Sequence, residues 1–232
     1  MATTRWSQVL AARDGSDTEA RRALEALCTV YWEPLYSFVR RQGSSPDEAG
    51  DLTQAYFAEL LSKGFFADVD PRKGRFRSFL LSSLEHFLSH QRDRAGAQKR
   101  GGGTSTVSLD VEGAEKRYGL QSAEMTPEKA FEYRWAVTML NRALARLERD
   151  STDAGDEEQL ATLKCYLTSV EVQVPYREAA EALGISEGAV KTAVYRLRKR
   201  FGQYLRAEVA DTVADPAEVD DELRHLLSTL RT

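Results

Sequence analysis

The sequence predicts an all-α protein: two helical domains joined by a flexible linker, with one further helix at the C-terminus. Three observations predict it. Apolar residues recur at helical spacing along nearly every periodic stretch, and no alternating run of strand type stands out. A glycine- and serine-rich stretch, "GGGTSTVSLDVEGAEKRYG", interrupts that periodicity near the middle of the chain. The 232 residues are 42% hydrophobic, enough for one large or two small cores. The expected boundaries are 1–100, a linker over 101–126, 127–210, and an acidic helical extension over 211–232.

Taken in order, "TEARRALEALCTVYWEPLYSFVRRQG" places Leu24, Leu27, Cys28, Tyr31, Leu35 and Phe38 on one helical face, with a bend expected at Pro34. Gly43 ends that helix. Ser45 followed by Pro46 caps the next, "DLTQAYFAELLSKG", which buries Leu52, Tyr56, Phe57, Leu60 and Leu61 and stops at Gly64. "FFADVDPRKG" reads as a loop, and "RFRSFLLSSLEHFLSHQRDRAGAQKR" as a long helix. Beyond the linker, Thr126 and Pro127 open another strong helix, "STDAGD" forms a short acidic loop, and two or three more helices run to about Ala210. The final helix carries Val219, Leu223, Leu226, Leu227 and Leu230 on one side.

"YREAAEALGISEGAVKTAVYRLRKRF" has the offsets of a helix-turn-helix. Ala180 is small where two helices cross, and Gly184 suits the left-handed turn. Ile185 is expected to plug the core and Ser186 to cap the second helix. Val190, Val194, Leu197 and Phe201 form its buried stripe. Glu187, Lys191, Thr192, Tyr195, Arg198 and Lys199 then face outward. In such a motif the start of the second helix meets base edges and the later arginines reach phosphates.

Charge is segregated. The net charge is only -4, yet Pro71–Arg100 holds Arg72, Lys73, Arg75, Arg77, Arg92, Arg94, Lys99 and Arg100 against Glu85 and Asp93. Lys191–Arg206 is basic without an acid, and the tail beyond it is acidic. That asymmetry points to an anionic partner. Phe76, Phe79 and Phe87 interleave with the first basic block. Two readings stay open for Phe79 and Phe87: stacking on single-stranded bases, or core packing.

Several classes are excluded. The N-terminal residues lack a signal-peptide pattern, and no apolar run is long enough to span a bilayer, so a cytoplasmic protein without membrane contact is expected. Cys28 and Cys165 form no CxxC and read as reduced core thiols. His86 and His90 are spaced i, i+4, but nothing completes a metal set, so they read as surface histidines. There is no phosphate-cradling glycine loop and no nucleophile with a positioned base; no enzyme activity, catalytic residue, metal or cofactor is expected.

Three segments together resemble the extracytoplasmic-function sigma factors of bacterial RNA polymerase, over roughly Ala20 to Ala210. "AGDLTQAYFAELL" is similar to that family's core-polymerase helix, usually D-A-E-D-L-V-Q-E-x-F. "RFRSFLLSSLEHFLSHQRDR" resembles its promoter-melting segment. "YREAAEALGISEGAVKTAVYRLRKR" resembles its minus-thirty-five reader. The resemblance implies a non-enzymatic transcription initiation factor with two partners, RNA polymerase core and promoter DNA. It implies sigma domain 2 for the first helical domain and sigma domain 4 for the second. Carried over, Lys191, Thr192, Tyr195, Arg196 and Arg198, with Lys199 beside them, would contact the minus-thirty-five duplex. Arg77, Phe79, Arg92 and Arg94 would lie near the minus-ten strand. Asp51, Gln54 and Phe57 would face or support the polymerase clamp helices.

The chain departs from the family at two places. Gly50 and Ala55 stand where acids are usual in the core-binding helix, and Thr53 lies between them. Similarity to a subgroup associated with serine/threonine kinases implies a kinase partner. A phosphate on Thr53 would restore the acidic patch, while an unmodified Thr53 is simply a helix residue. The acidic tail is the second departure. Folding over the recognition helix and packing on the last domain are both open to it. The alternative function is a conventional dimeric helix-turn-helix regulator, which has no need of the basic aromatic segment Arg75–Arg100.

Overall fold

The computed structural model describes residues 5–6, 18–61, 75–97, 110–119, 124–168 and 174–231. Among them are ten α-helices, one 3-10 turn and no strand. The helices are α1 (Thr18–Arg41), α2 (Pro46–Leu60), α3 (Phe76–Ala97), α4 (Val111–Tyr118), α5 (Pro127–Ala154), α6 (Glu157–Leu163), α7 (Cys165–Thr168), α8 (Tyr176–Leu183), α9 (Glu187–Ala210) and α10 (Val219–Thr229). The expected stop at Gly64 and the loop 65–74 lie outside the described residues. None of these helices is long and apolar enough to cross a membrane.

The chain divides into two compact units, residues 1–138 with 209–232, and residues 139–208. The divisions therefore fall inside α5 and α9, away from the boundaries that composition suggested. The reason lies in the side chains. Phe131 and Trp135 from the first half of α5 and Val213 and Leu226 from the tail are fully buried in the first unit. Each contributes about 1.5–3 kcal/mol of apolar burial there.

In the first unit, α1 runs through Pro34 and buries Leu24, Leu27, Tyr31, Leu35 and Phe38 as its spacing predicts. Aromatic rings knit its core. Tyr31 stands edge-on to Phe76 at 5.0 Å and stacks on Phe131 at 6.3 Å, and Trp6 lies 4.7 Å from Phe76. The acidic tail belongs to this unit too. Asp211 accepts from the Trp6 amide at 3.1 Å, and Thr212 from the Phe76 amide at 3.2 Å. The tail also meets the start of α5, which the sequence reading placed in the last domain: His225 lies 2.9 Å from Glu132 and 6.3 Å from the Trp135 ring. On α10, Val219 and Leu226 are buried as expected, but Leu227 is exposed and Glu222 takes the buried face. Glu222 goes inward because Arg75 and Arg77 meet it there.

Two helix starts follow their sequence signals. Ser45 accepts from the Glu48 amide while the Glu48 carboxylate accepts from the Ser45 amide at 2.9 Å, a complete capping box with Pro46 behind it. Thr126 accepts from the Lys129 amide at 3.3 Å, ahead of Pro127. The linker reading fails over 110–119. Asp110 caps α4 by accepting from the Gly113 amide at 2.9 Å, and ion pairs tie the helix to α1. The reading of "STDAGD" as a loop also shortens, because α5 continues to Ala154 and turns only at Gly155, whose φ is +74°. Cys28 is buried and Cys165 half-buried, and both are free thiols. Burial pushes the Cys28 thiol well above its ordinary range.

The core of the second unit is Leu163, Tyr166, Ala179, Ala180, Val190 and Val194, with Tyr176, Leu183 and Leu197 partly buried around them. α6, α7, α8 and α9 supply all of these residues, so this core orients the recognition helix.

Candidate nucleic-acid interface

The turn of the helix-turn-helix is built as the sequence indicates. Gly184 caps α8 with φ +63°, a conformation that costs a side chain about 1 kcal/mol or more. The Ile185 amide donates to the Ala180 carbonyl at 3.1 Å, closing the turn, and Ser186 accepts from the Ala189 amide at 3.2 Å. Ala180 is buried at the crossing. Ile185 does not plug the core; it is 36% exposed, because Val190 and Val194 already fill the space beneath α9.

With Val190 and Val194 inward, α9 turns Glu187, Lys191, Thr192, Tyr195, Arg196 and Lys199 to solvent. Tyr195 is 68% exposed, an unusual setting for a ring that large. Lys191 stands 5.9 Å from the Tyr176 ring, which steadies its ammonium beside the helix start. Thr192 donates to the Gly188 carbonyl at 3.0 Å and leaves its oxygen available as an acceptor. Tyr195, Arg196 and Lys199 follow on the next turn of the same outward side.

Arg198 is different. Its Nε and Nη2 donate to the Tyr166 carbonyl at 3.1 and 3.0 Å. The guanidinium thus ties the end of α7 to α9, while the residue as a whole stays exposed on the outward side of α9, as its spacing predicts. Arg200 pairs with Asp150 at 3.5 Å, and Tyr204 donates to the same carboxylate. Along the basic run Lys191, Arg196, Arg198 and Lys199 are exposed, Arg198 with its guanidinium on the Tyr166 carbonyl, and the half-buried Arg200 pairs with Asp150.

The second basic block is placed less openly than expected. Arg77 is buried in the first unit, where its Nε meets Glu222 at 2.5 Å and its Nη1 meets Glu132. The Trp135 ring lies 5.3 Å below the guanidinium. Burial works against the charge, but the hydrogen bond to Glu222 and the two carboxylates outweigh it, and the guanidinium is held above its usual range. Arg77 is committed to protein carboxylates in this conformation, so the expected contact with a minus-ten strand is not presented. Phe79 is buried with its ring 5.7 Å from Trp6, and Phe87 is buried 5.6 Å from Tyr56. Core packing describes both phenylalanines, and the base-stacking reading of Phe79 gives way to it. Arg92 is exposed and donates to Gln42. The Arg94 side chain lies outside the described residues. His86 and His90 are exposed neighbours, 3.1 Å apart at Nε2. Among the described residues no group of three or more metal-ligating side chains occurs.

On α2, Asp51 is exposed beside Asp47 and Glu48, Gln54 is half-buried and Phe57 is buried. Phe57 therefore supports the helix from beneath, and the acids form its outer side. Thr53 is fully buried, and its hydroxyl donates to the Ala49 carbonyl at 2.7 Å. In the family pattern quoted above it stands where valine is usual, and it packs as a valine would. The expectation of a kinase-accessible hydroxyl is thus corrected: a phosphate has no room here while the helix keeps its place.

Sequence reasoning missed three residues that organise the first unit: Glu222, Glu115 and Arg40. No local signal marks them, since the ion pairs Arg40–Glu115 and Arg77–Glu222 join residues 75 and 145 positions apart.

Residues 164–201, from the end of α6 through most of α9, match the family model described as Sigma-70, region 4. No curated protein and no solved structure matches the chain. The match falls on the helix-turn-helix of the second unit, a module of non-enzymatic, DNA-binding transcription factors, and it supports a sigma-factor role in transcription initiation.

Proposed function

We propose that this chain is an extracytoplasmic-function type sigma factor that binds RNA polymerase core and directs it to promoters. One observation carries the proposal. The segment similar to sigma-70 region 4 is the same segment whose core turns Lys191, Thr192, Tyr195, Arg196 and Lys199 outward on one helix. Thr192 and Tyr195 suit base edges and thymine methyls, and Lys191, Arg196 and Lys199 suit phosphates. The exposed acids Asp47, Glu48 and Asp51 of α2 suit a basic face of the polymerase. Phosphorylation of the buried Thr53 forms no part of the reading.

The test is transcription in a defined system. Promoter-specific transcripts should require both this chain and core polymerase, and Tyr195→Ala or Arg196→Ala should lower transcript yield without lowering the melting temperature. Promoter-specific transcripts of equal yield without the chain would reject the proposal.

A further inference from the structure

Helix α4 is a short element held by polar contacts. Only Ala114 of its eight residues is buried. Glu115 accepts from Arg40 Nε at 2.9 Å and Nη2 at 2.8 Å, and from the Tyr36 hydroxyl at 2.5 Å. Arg117 pairs with Glu33 at 2.7 Å, and the Tyr118 ring lies under Arg40 and Arg41 at 4.9 and 5.1 Å. These contacts fix α4 along α1. It also touches α2 at Gly50, where a Cβ would come within 3.4 Å of a Val111 methyl. Gly50 is buried and directly precedes the exposed Asp51. The residue without a side chain is thus the one on which α4 rests.

An eight-residue helix has no stability of its own in water, so α4 persists only while docked. The Arg117–Glu33 pair is partly solvent-exposed, and such a pair is worth about 0–1 kcal/mol and is weakened by salt; the bidentate Arg40–Glu115 pair is the stronger anchor. A cover of this kind can leave without unfolding the aromatic core beneath α1. The contacts across the seam carry both signs, Arg117 on Glu33 and Glu115 on Arg40.

We infer that α4 is a releasable cover on the polymerase-binding face of the first unit: docked on Gly50 of α2 and on Glu33, Tyr36 and Arg40 of α1, it excludes RNA polymerase core, which binds when α4 lifts. The inference rests on the proposed function, because it assigns α2 to the polymerase.

A reversible lock tests it. The double variant Gly50→Cys, Val111→Cys is prepared oxidised and reduced, and each form is titrated with core polymerase. The two redox forms of the one variant are compared with each other, so any effect of the substitutions themselves on binding is common to both. The oxidised form should bind at least about tenfold more weakly and recover on adding reductant. Equal binding by the two forms overturns the inference and leaves the sigma reading intact. Absence of binding by the wild-type chain and both forms removes the sigma reading and the inference with it. Hydrogen exchange on the wild-type chain is the second measurement. The α4 amides should exchange much faster than those in the middle of α1, and equal protection overturns releasability.

Discussion

Replacing Glu222 with alanine should cost the first unit more than any other single tail substitution. The carboxylate is 1% exposed and takes Arg77 Nε at 2.5 Å and Arg75 Nε at 3.0 Å. Arg77 is only 7% exposed, so water does not replace the lost partner. Glu132 alone then compensates the guanidinium. Breaking a buried pair by removing one member costs about 3–5 kcal/mol. Arg75, a third exposed, adds little. In a unit of about 160 residues each kcal/mol moves the midpoint by about 2–4 °C, so a drop of about 6–20 °C is expected. Differential scanning calorimetry of wild type, Glu222→Ala and the double variant Arg77→Met, Glu222→Leu reads it. The double variant should recover most of the loss, because an apolar pair of similar size escapes the desolvation of two charges. A fall below about 2 °C for Glu222→Ala would refute the reasoning and return Arg77 to the candidates for nucleic-acid contact.

Other outcomes follow from the same geometry. Thr53→Glu should lower the melting temperature sharply, since it buries an unpaired carboxylate at a cost of about 3 kcal/mol or more, while Thr53→Val, which loses only the bond to the Ala49 carbonyl, should cost about 1 kcal/mol; a Thr53→Glu variant as stable as wild type would contradict the burial. Arg198→Ala should destabilise the second unit by about 1–2 kcal/mol in urea unfolding through its two bonds to Tyr166, whereas Arg196→Ala should leave stability unchanged and weaken duplex binding. Equal stability effects of the two changes would erase the distinction between them. The hydrogen bonds from Arg40, with that from Tyr36 and the charge of Arg40, hold the Glu115 carboxyl below its usual range. A depressed carboxyl contributes stability above its ordinary pKa, about 4.3, and loses it as pH falls through the lower folded value. Acidification below about pH 4 should therefore release α4 before α1 melts, read from amide signals of residues 111–118, and α4 signals that persist until the whole unit unfolds would count against it.

Local signals in the sequence were read well, and contacts between distant residues were not. The Ser45–Glu48 capping box, the Thr126 cap, the Gly184 turn and the Val190–Val194 stripe each depend on neighbours within a turn or two, and each is built as expected. Arg77 looked like part of a nucleic-acid surface because its local setting is basic. Its carboxylate partners come from α5 and α10, 55 and 145 positions away. The same holds for α4. Its flanking glycines and serines suggested a linker, and its anchors, Arg40 and Tyr36, lie 75 and 79 positions earlier. Thr53 was misread for a chemical reason, since a threonine hydroxyl satisfied by the Ala49 carbonyl buries as readily as valine. The outward face of α9 was legible, Arg198 included, although the bond of its guanidinium to the Tyr166 carbonyl has no sequence signature.

Association with the polymerase bears most directly on the function. The chain is mixed with bacterial core RNA polymerase and the complex resolved by size-exclusion chromatography, wild type beside Asp51→Arg. A sigma factor should co-elute with core, and the reversed charge on the exposed side of α2 should abolish co-elution while the isolated variant stays folded. If the wild-type chain never co-elutes and instead binds a palindromic duplex alone as a dimer, it is a helix-turn-helix regulator and the sigma reading is wrong.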